Sequence, residues 1–194
     1  MRTLPYGDAA MLLDCESLDE AQRWFAALHP QVDSVLGARS VLLRGDPRSL
    51  RALVAATTPG SSAAIDQVAE LEVPVVYDGP DLADVGRLTG LGEDGVVAAH
   101  TGSRWTVAFG GFAPGFSYLV GGDPRLEVPR RPSPRACVPA GSVGLAGEFS
   151  GVYPRESPGG WQLLGRTTLT LWDSERADPA LLAAGMTVRF VAQR

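Results

Sequence analysis

The chain has 194 residues, of which 45% are hydrophobic, enough for one large domain or two modest ones with packed cores. Its formal charge of -5 excludes the broad basic face of a general nucleic-acid binder. All 17 basic side chains are arginine, which excludes a lysine Schiff base and a GxxxxGK[ST] phosphate loop.

Charged Arg2 and Asp8 interrupt the N-terminus, so it does not read as a secretory signal, and no apolar run is long enough for a membrane span; the expected location is cytoplasmic. Residues 9–15 form a short apolar run suited to a buried strand. Ser17, with Glu20 three residues on, then caps a helix to about Leu28, whose apolar Ala21, Trp24, Phe25 and Leu28 share one face. Pro30 ends it. Residues 32–44 read as strand material turning at Gly37, and Asp46-Pro47 opens a second helix over 48–57. Strand, helix, strands and helix make an α+β layer. A loop by composition, residues 57–62, follows, and the apolar strand 73–77 begins the second half, so the expected domains are 1–72 and 73–194.

Residues 81–88 and 92–99 read as helices, the first capped by Asp81 and the second ending at His100. Between them Gly90, Gly92 and Gly95 spell GxGxxG, but no strand precedes them and no βαβ unit contains them, so they read as a helix–helix turn. After a strand at 105–109, residues 110–167 hold 8 of the 15 prolines and 12 of the 23 glycines. Interleaved aromatic and branched aliphatic residues exclude a solvated linker, and the stretch reads as a closed, highly turned β structure. Strands are expected at 169–172 and 186–191, with a short helical piece at 179–184.

The motifs PGFSYL, DPRL, PRRPSPR, VPAGSVGLAG, GVYP and ESPGGWQLLGRT occur in that order, with YGDAAMLLDC and VPVVYDGPDL before them. In these the chain strongly resembles the bacterial KipI family over nearly its whole length. Members of that family are described as one of the 5-oxoprolinase subunits, as allophanate hydrolase subunit 1 or as a histidine-kinase inhibitor, and they are similar to carboxyltransferase subdomains C and D of urea carboxylase. The resemblance implies an α+β fold, a small N-terminal α/β sandwich followed by a cyclophilin-like β-barrel. It also implies a subunit that, with a KipA-like partner and a LamB/YcsF-like partner, opens 5-oxoproline to glutamate using ATP, the ATP being held at the level of the complex. Kinase inhibition and allophanate or urea-type amide hydrolysis are the alternative activities, and neither nucleic acid nor a membrane is an implied partner. Gly122 stands where a leucine is usual in the family, and Phe149 where a glutamine is usual.

Arg130, Arg131 and Arg135 lie within six residues, around prolines that hold the backbone extended, and guanidinium groups grip carboxylates and phosphates in a bidentate way. Pairing with Glu127 or Glu148 on the surface is the plain alternative to substrate or partner contact. His100, Arg130 and Arg131 are the catalytic candidates, His100 as the one candidate general base. Gly141 and Ser142, in the PAGSVG turn, could point backbone N–H groups at an anion. The GxSxG spacing fails on the N-terminal side of Ser142, which therefore reads as a hydrogen-bond donor. Ser157 and Trp161 form a rigid turn holding an indole; with Phe116, Tyr118, Arg135 and Tyr153 they complete the expected substrate or interface surface. Cys15 and Cys137 show no ligand spacing, so no metal site is expected, and Cys137 reads as a small buried hydrophobe.

Overall fold

The computed structural model describes residues 1–60 and 70–193, which fall into two units, Met1–Ile65 and Asp66–Arg194. Of the expected loop at 57–62, Ser61 and Ser62 lie outside the described residues.

In the first unit β1 (Arg2–Pro5), β2 (Ala10–Asp14), β3 (Ser34–Leu36) and β4 (Ser40–Arg44) form an antiparallel sheet in the order β1-β2-β4-β3. Alternation decides its faces: Met11, Leu13, Val41 and Leu43 are fully buried, while their neighbours along the strands are not. The buried side also contains residues of α1 (Leu18–Leu28) and α2 (Pro47–Ala56). Ser17 Oγ accepts from the Glu20 N–H at 3.1 Å, and Asp46 accepts from the Ser49 N–H at 2.9 Å, so both helices start where the caps predict. Strand β1 escapes a reading of the sequence because a four-residue edge strand ending in proline carries no periodic signal.

The second unit closes seven strands into a barrel in the order β10-β7-β6-β13-β5-β12-β9. These are β5 (Glu70–Val76), β6 (Trp105–Gly110), β7 (Ser117–Val120), β9 (Ser142–Ala146), β10 (Phe149–Val152), β12 (Gln162–Arg166) and β13 (Thr187–Gln193). Strands β8 (Arg135–Val138) and β11 (Ser157–Gly159) pair separately as a ribbon. Helices α3 (Leu82–Thr89) and α4 (Gly92–Gly102) bring Leu82, Val85, Val96 and Ala99 into the same core as Val73, Val107, Leu145 and Phe190. The GxGxxG segment covers their turn and the start of α4: Gly90 and Gly92 both have positive φ, at 73° and 68°, and Gly95 lies within α4. No helix among the described residues is long and apolar enough to cross a membrane.

Three expectations need correction. Residues 169–172 contain no strand, only an isolated bridge between Trp172 and Ala180, and residues 179–184 contain no helix. Met186 Sδ receives the Ala183 N–H at 3.2 Å, so this segment is tied down by local turns. Strand β5 already includes Glu70, three residues before Val73, in parallel register with β13 at Thr187↔Glu70. A fragment starting at Glu70 is therefore expected to melt cooperatively and at a higher temperature than one starting at Val73, which lacks the Glu70 and Glu72 pairings with Arg189. Equal melting temperatures in circular dichroism would contradict this.

Candidate functional site

The chemistry of the second unit gathers around one buried carboxylate. Asp81 immediately precedes α3, yet its side chain makes no capping bond. Its backbone N–H donates to Leu163 O at 3.1 Å, and Gly79 N–H donates to Leu164 O at 3.0 Å, so residues 79–81 are laced onto β12. A side chain on Gly79 would collide with Leu163 O, which requires glycine for this close approach. The Asp81 side chain is only 2% exposed. Its Oδ1 accepts from Arg131 Nη1 at 2.6 Å and Arg135 Nη2 at 2.7 Å, and its Oδ2 accepts from the Leu163 N–H at 2.7 Å. Burial works against the ionised form. The bonds from Arg135 and Leu163, with the charges of both arginines, outweigh it and hold the carboxyl below its usual range.

Asp81 therefore replaces Glu127 and Glu148 as the partner of the arginine segment, and the three arginines separate. Arg135 lines a cleft of about 310 Å³ together with Asp78, Cys137, Pro139, Ser142, Leu163 and Arg166. Arg131 faces a different depression, beside Asp84, Arg87 and Gln162. Arg130 is exposed and lies 5.9 Å from the centre of the Trp161 ring, a cation–π distance. Across the cleft, Arg166 Nε donates to Asp78 at 2.9 Å.

The PAGSVG turn supplies a cleft wall, but it is not an anion nest. Gly141 N–H donates to Tyr153 O at 2.7 Å and Ser142 N–H to Pro139 O at 3.3 Å, so both donors are used within the fold. Gly141 has φ 79°, and a side chain there would collide with Thr167 O. Ser142 lines the cleft, in keeping with a hydrogen-bonding role for its hydroxyl.

His100 is elsewhere. It lies inside the last turn of α4, not beyond it, and is completely buried. Nδ1 is 2.7 Å from Tyr77 Oη and Nε2 is 2.9 Å from Ser150 Oγ, while the ring stacks on Phe190 with centroids 4.2 Å apart. Ser150 on β10 and Phe190 on β13 belong to strands that are not neighbours, so the imidazole spans the barrel interior. With both nitrogens engaged and no exposed surface, it cannot reach a cleft substrate as a general base. Burial lowers its pKa to about 3. The unfolded chain protonates near the ordinary value of 6.5, so it binds more protons than the folded chain between those limits, and stability falls as pH drops through that window. The expected loss is about 1.4 kcal/mol per pH unit below 6.5, and urea titrations at pH 7 and pH 5 measure it. His100→Gln should flatten this slope; an unchanged slope would assign the effect to other groups.

Phe116, Tyr153 and Trp161 are buried in one aromatic cluster, on which the half-buried Tyr118 packs. Tyr118 also stacks on Phe109, 4.5 Å between centroids, and meets Phe149 at 5.5 Å. Phe149 thus stands in an aromatic wall. Ser157 Oγ donates to Arg155 O at 3.2 Å, a local turn bond. The large aromatic side chains left exposed in this unit are Phe112 (58%) and Trp172 (41%). Gly122 is explained by Trp105, since a side chain there would collide with the indole. Cys137 is exposed, correcting the expectation of burial, and a hydrogen bond with Glu156 raises its pKa. Among the described residues, no group of three or more His, Cys, Asp or Glu is placed to hold a metal ion.

A helix-covered antiparallel sheet and a seven-stranded closed barrel, with an arginine-lined cleft beside β12, define an α+β protein of the barrel class. The family described as carboxyltransferase domain, subdomain C and D, matches residues 1–182, and the chain belongs to that family. It is 51% identical over 127 residues to a 5-oxoprolinase subunit of Escherichia coli O157:H7, a match covering 64% of this chain and 58% of that protein. It is 47% identical over 124 residues to the corresponding 5-oxoprolinase subunit of Bacillus subtilis (strain 168), covering 62% of this chain and 52% of that protein. The chain thus spans little more than half the length of these curated relatives. Among solved structures, TTHA0988 is similar with a TM-score of 0.78 at 35% identity, over 95% of this chain and 40% of that one. The conserved uncharacterized protein PH0987 from Pyrococcus horikoshii aligns with a TM-score of 0.62 at 32% identity, over 99% of this chain and 97% of that one.

Proposed function

We propose that this chain is a subunit of an ATP-dependent 5-oxoprolinase, acting with a KipA-like and a LamB/YcsF-like subunit to hydrolyse 5-oxo-L-proline to L-glutamate. The observation that carries this reading is the 51% identity to a 5-oxoprolinase subunit. The cleft supports it chemically. 5-Oxoproline is a small lactam bearing one carboxylate, and Arg135 offers charge-assisted donors at the wall of a cleft of about 310 Å³. A lactam is a poor electrophile; transfer of the ATP γ-phosphoryl to the amide oxygen, with release of ADP, activates the ring carbon. Water then adds there, the C–N bond breaks with the ring nitrogen leaving as the amine, and the resulting acyl phosphate is hydrolysed to glutamate and phosphate. What this chain contributes is the grip on the carboxylate, which holds the ring while charge develops at its far side. Lacking lysine and a phosphate loop, it does not itself supply a P-loop for ATP.

Exposed Phe112 favours a partnered protein. It is a non-glycine residue at positive φ, 66°, packed edge-on against Phe116 and Tyr153 with most of its ring in solvent. An aromatic held outward at a conformational cost suits a docking surface. Co-purification tests the reading. The tagged chain, co-expressed with KipA-like and LamB/YcsF-like subunits of its own organism, should retain both; retention of a sensor kinase in their place would favour the inhibitor alternative.

A further inference from the structure

We infer that Asp81 is the positioning residue of the cleft: it fixes the guanidinium of Arg135 at the wall, and by sharing one carboxylate between two arginines it leaves a single positive charge for a monocarboxylate ligand. This rests on the reading that the cleft takes the carboxylate of the substrate.

The carboxylate cannot turn. Its Oδ2 is pinned by the Leu163 N–H at 2.7 Å, and its backbone N–H is bonded to the same residue's carbonyl at 3.1 Å. Oδ1 is therefore presented in one direction, and both guanidiniums bind that one atom, at 2.6 and 2.7 Å. Two charges of +1 against one of −1 leave +1. Arg131 gives one N–H to Asp81 and borders the other depression, beside Asp84 and Arg87, so it adds its charge to the cluster without lining the cleft. Arg135 has the cleft in front of it and, beyond Asp81, only a long 3.5 Å contact to Trp161 O. Most of its five donors remain free for an anion. Arg166, by contrast, is met one-to-one by Asp78 at 2.9 Å. Within these ion pairs the surplus charge is thus at Arg135.

The sign of one substitution separates positioning from simple electrostatics. Asp81→Asn keeps the size and the acceptor for Leu163 but removes the negative charge, so a cleft governed by net charge alone would bind anions more tightly. If Asp81 positions Arg135, binding weakens despite the added charge. The experiment titrates the full chain with 5-oxo-L-proline, and with its uncharged primary amide, by calorimetry at fixed ionic strength, and records the nitrogen-edited signal of the Arg135 Nε–H. Circular dichroism verifies folding at the working temperature. The expected result is that wild type binds the acid and not the amide, with a shift of that signal, and that Asp81→Asn loses about tenfold or more in affinity. Equal or tighter binding by a folded Asp81→Asn overturns the positioning role while leaving the cleft intact. Absence of acid binding by wild type overturns the cleft reading itself, and the role of Asp81 with it. Should Asp81→Asn not fold, Arg131→Gln decides: it leaves Asp81 to neutralise Arg135, so acid affinity should fall several-fold, and unchanged affinity overturns the charge count.

Discussion

Arg135→Ala is expected to lower kcat/KM of the reconstituted complex for 5-oxoproline roughly 10- to 150-fold, the equivalent of about 1.5 to 3 kcal/mol for a lost hydrogen bond between charged groups. The effect should appear mainly in KM, since a carboxylate held equally in ground and transition states contributes uniform binding. Stability should fall less, because Asp81 keeps Arg131 and the Leu163 N–H. Arg125→Ala is the control: Arg125 is exposed and engages only its neighbour Asp123, a pairing that contributes little. Wild-type kcat/KM for Arg135→Ala would remove the cleft from the mechanism. A fall that follows loss of partner binding would make the segment an assembly surface.

The second large effect is on folding. Gly141→Ala should destabilise the chain by roughly 2 to 4 kcal/mol, combining the cost of a left-handed alanine with displacement of a neighbouring backbone. At Gly141 φ is 79°, its N–H bonds Tyr153 O at 2.7 Å, its carbonyl accepts from the Thr167 N–H at 2.9 Å, and a Cβ has no room beside Thr167 O. Three segments cross at this residue, so none can move away without breaking a bond. Urea denaturation measures the difference. A change below about 0.5 kcal/mol would show that the crossing relaxes at little cost.

Gly141 shows what the sequence makes legible and what it does not. Glycine and proline density announced a turn-rich β structure, and the PAGSVG turn lines the cleft with Arg135, as three intervening residues suggested. Which way its N–H groups point depends on Tyr153, a strand away, and no local pattern carries that. Asp81 is the clearest case. An aspartate just before a helix reads as a cap by every local rule. Its actual partners are 50, 54 and 82 residues further along, so only the closed barrel reveals that it is the counter-charge of the arginine segment. His100 could have been placed. Val96, Ala99 and His100 recur at the three- and four-residue spacing of one helix face, and all three are buried. That spacing argues for a core histidine over a base at a helix end. The alternating LTLW at 169–172, conversely, imitates a strand but meets no neighbouring edge beyond the Trp172–Ala180 bridge.

Apart from β1, the first-unit elements were the most readable, because they depend on neighbours in sequence: Ser17 with Glu20, Asp46 with Ser49, and the alternation of Met11 and Leu13. A turn-rich β domain was readable from the residues and a barrel only from the family resemblance, and neither gave the strand order, since β5 lies between β13 and β12, far apart from it along the chain. Closure depends on pairings that composition does not encode.

The most direct test of the whole account is a turnover assay on purified subunits. 5-Oxo-L-proline and ATP are supplied to this chain alone, to the KipA-like and LamB/YcsF-like subunits without it, and to all three together, and glutamate and ADP are measured in parallel. Glutamate and ADP should form in step only with all three subunits present. Glutamate formation by this chain alone, or equally fast by the other two without it, would contradict the assignment.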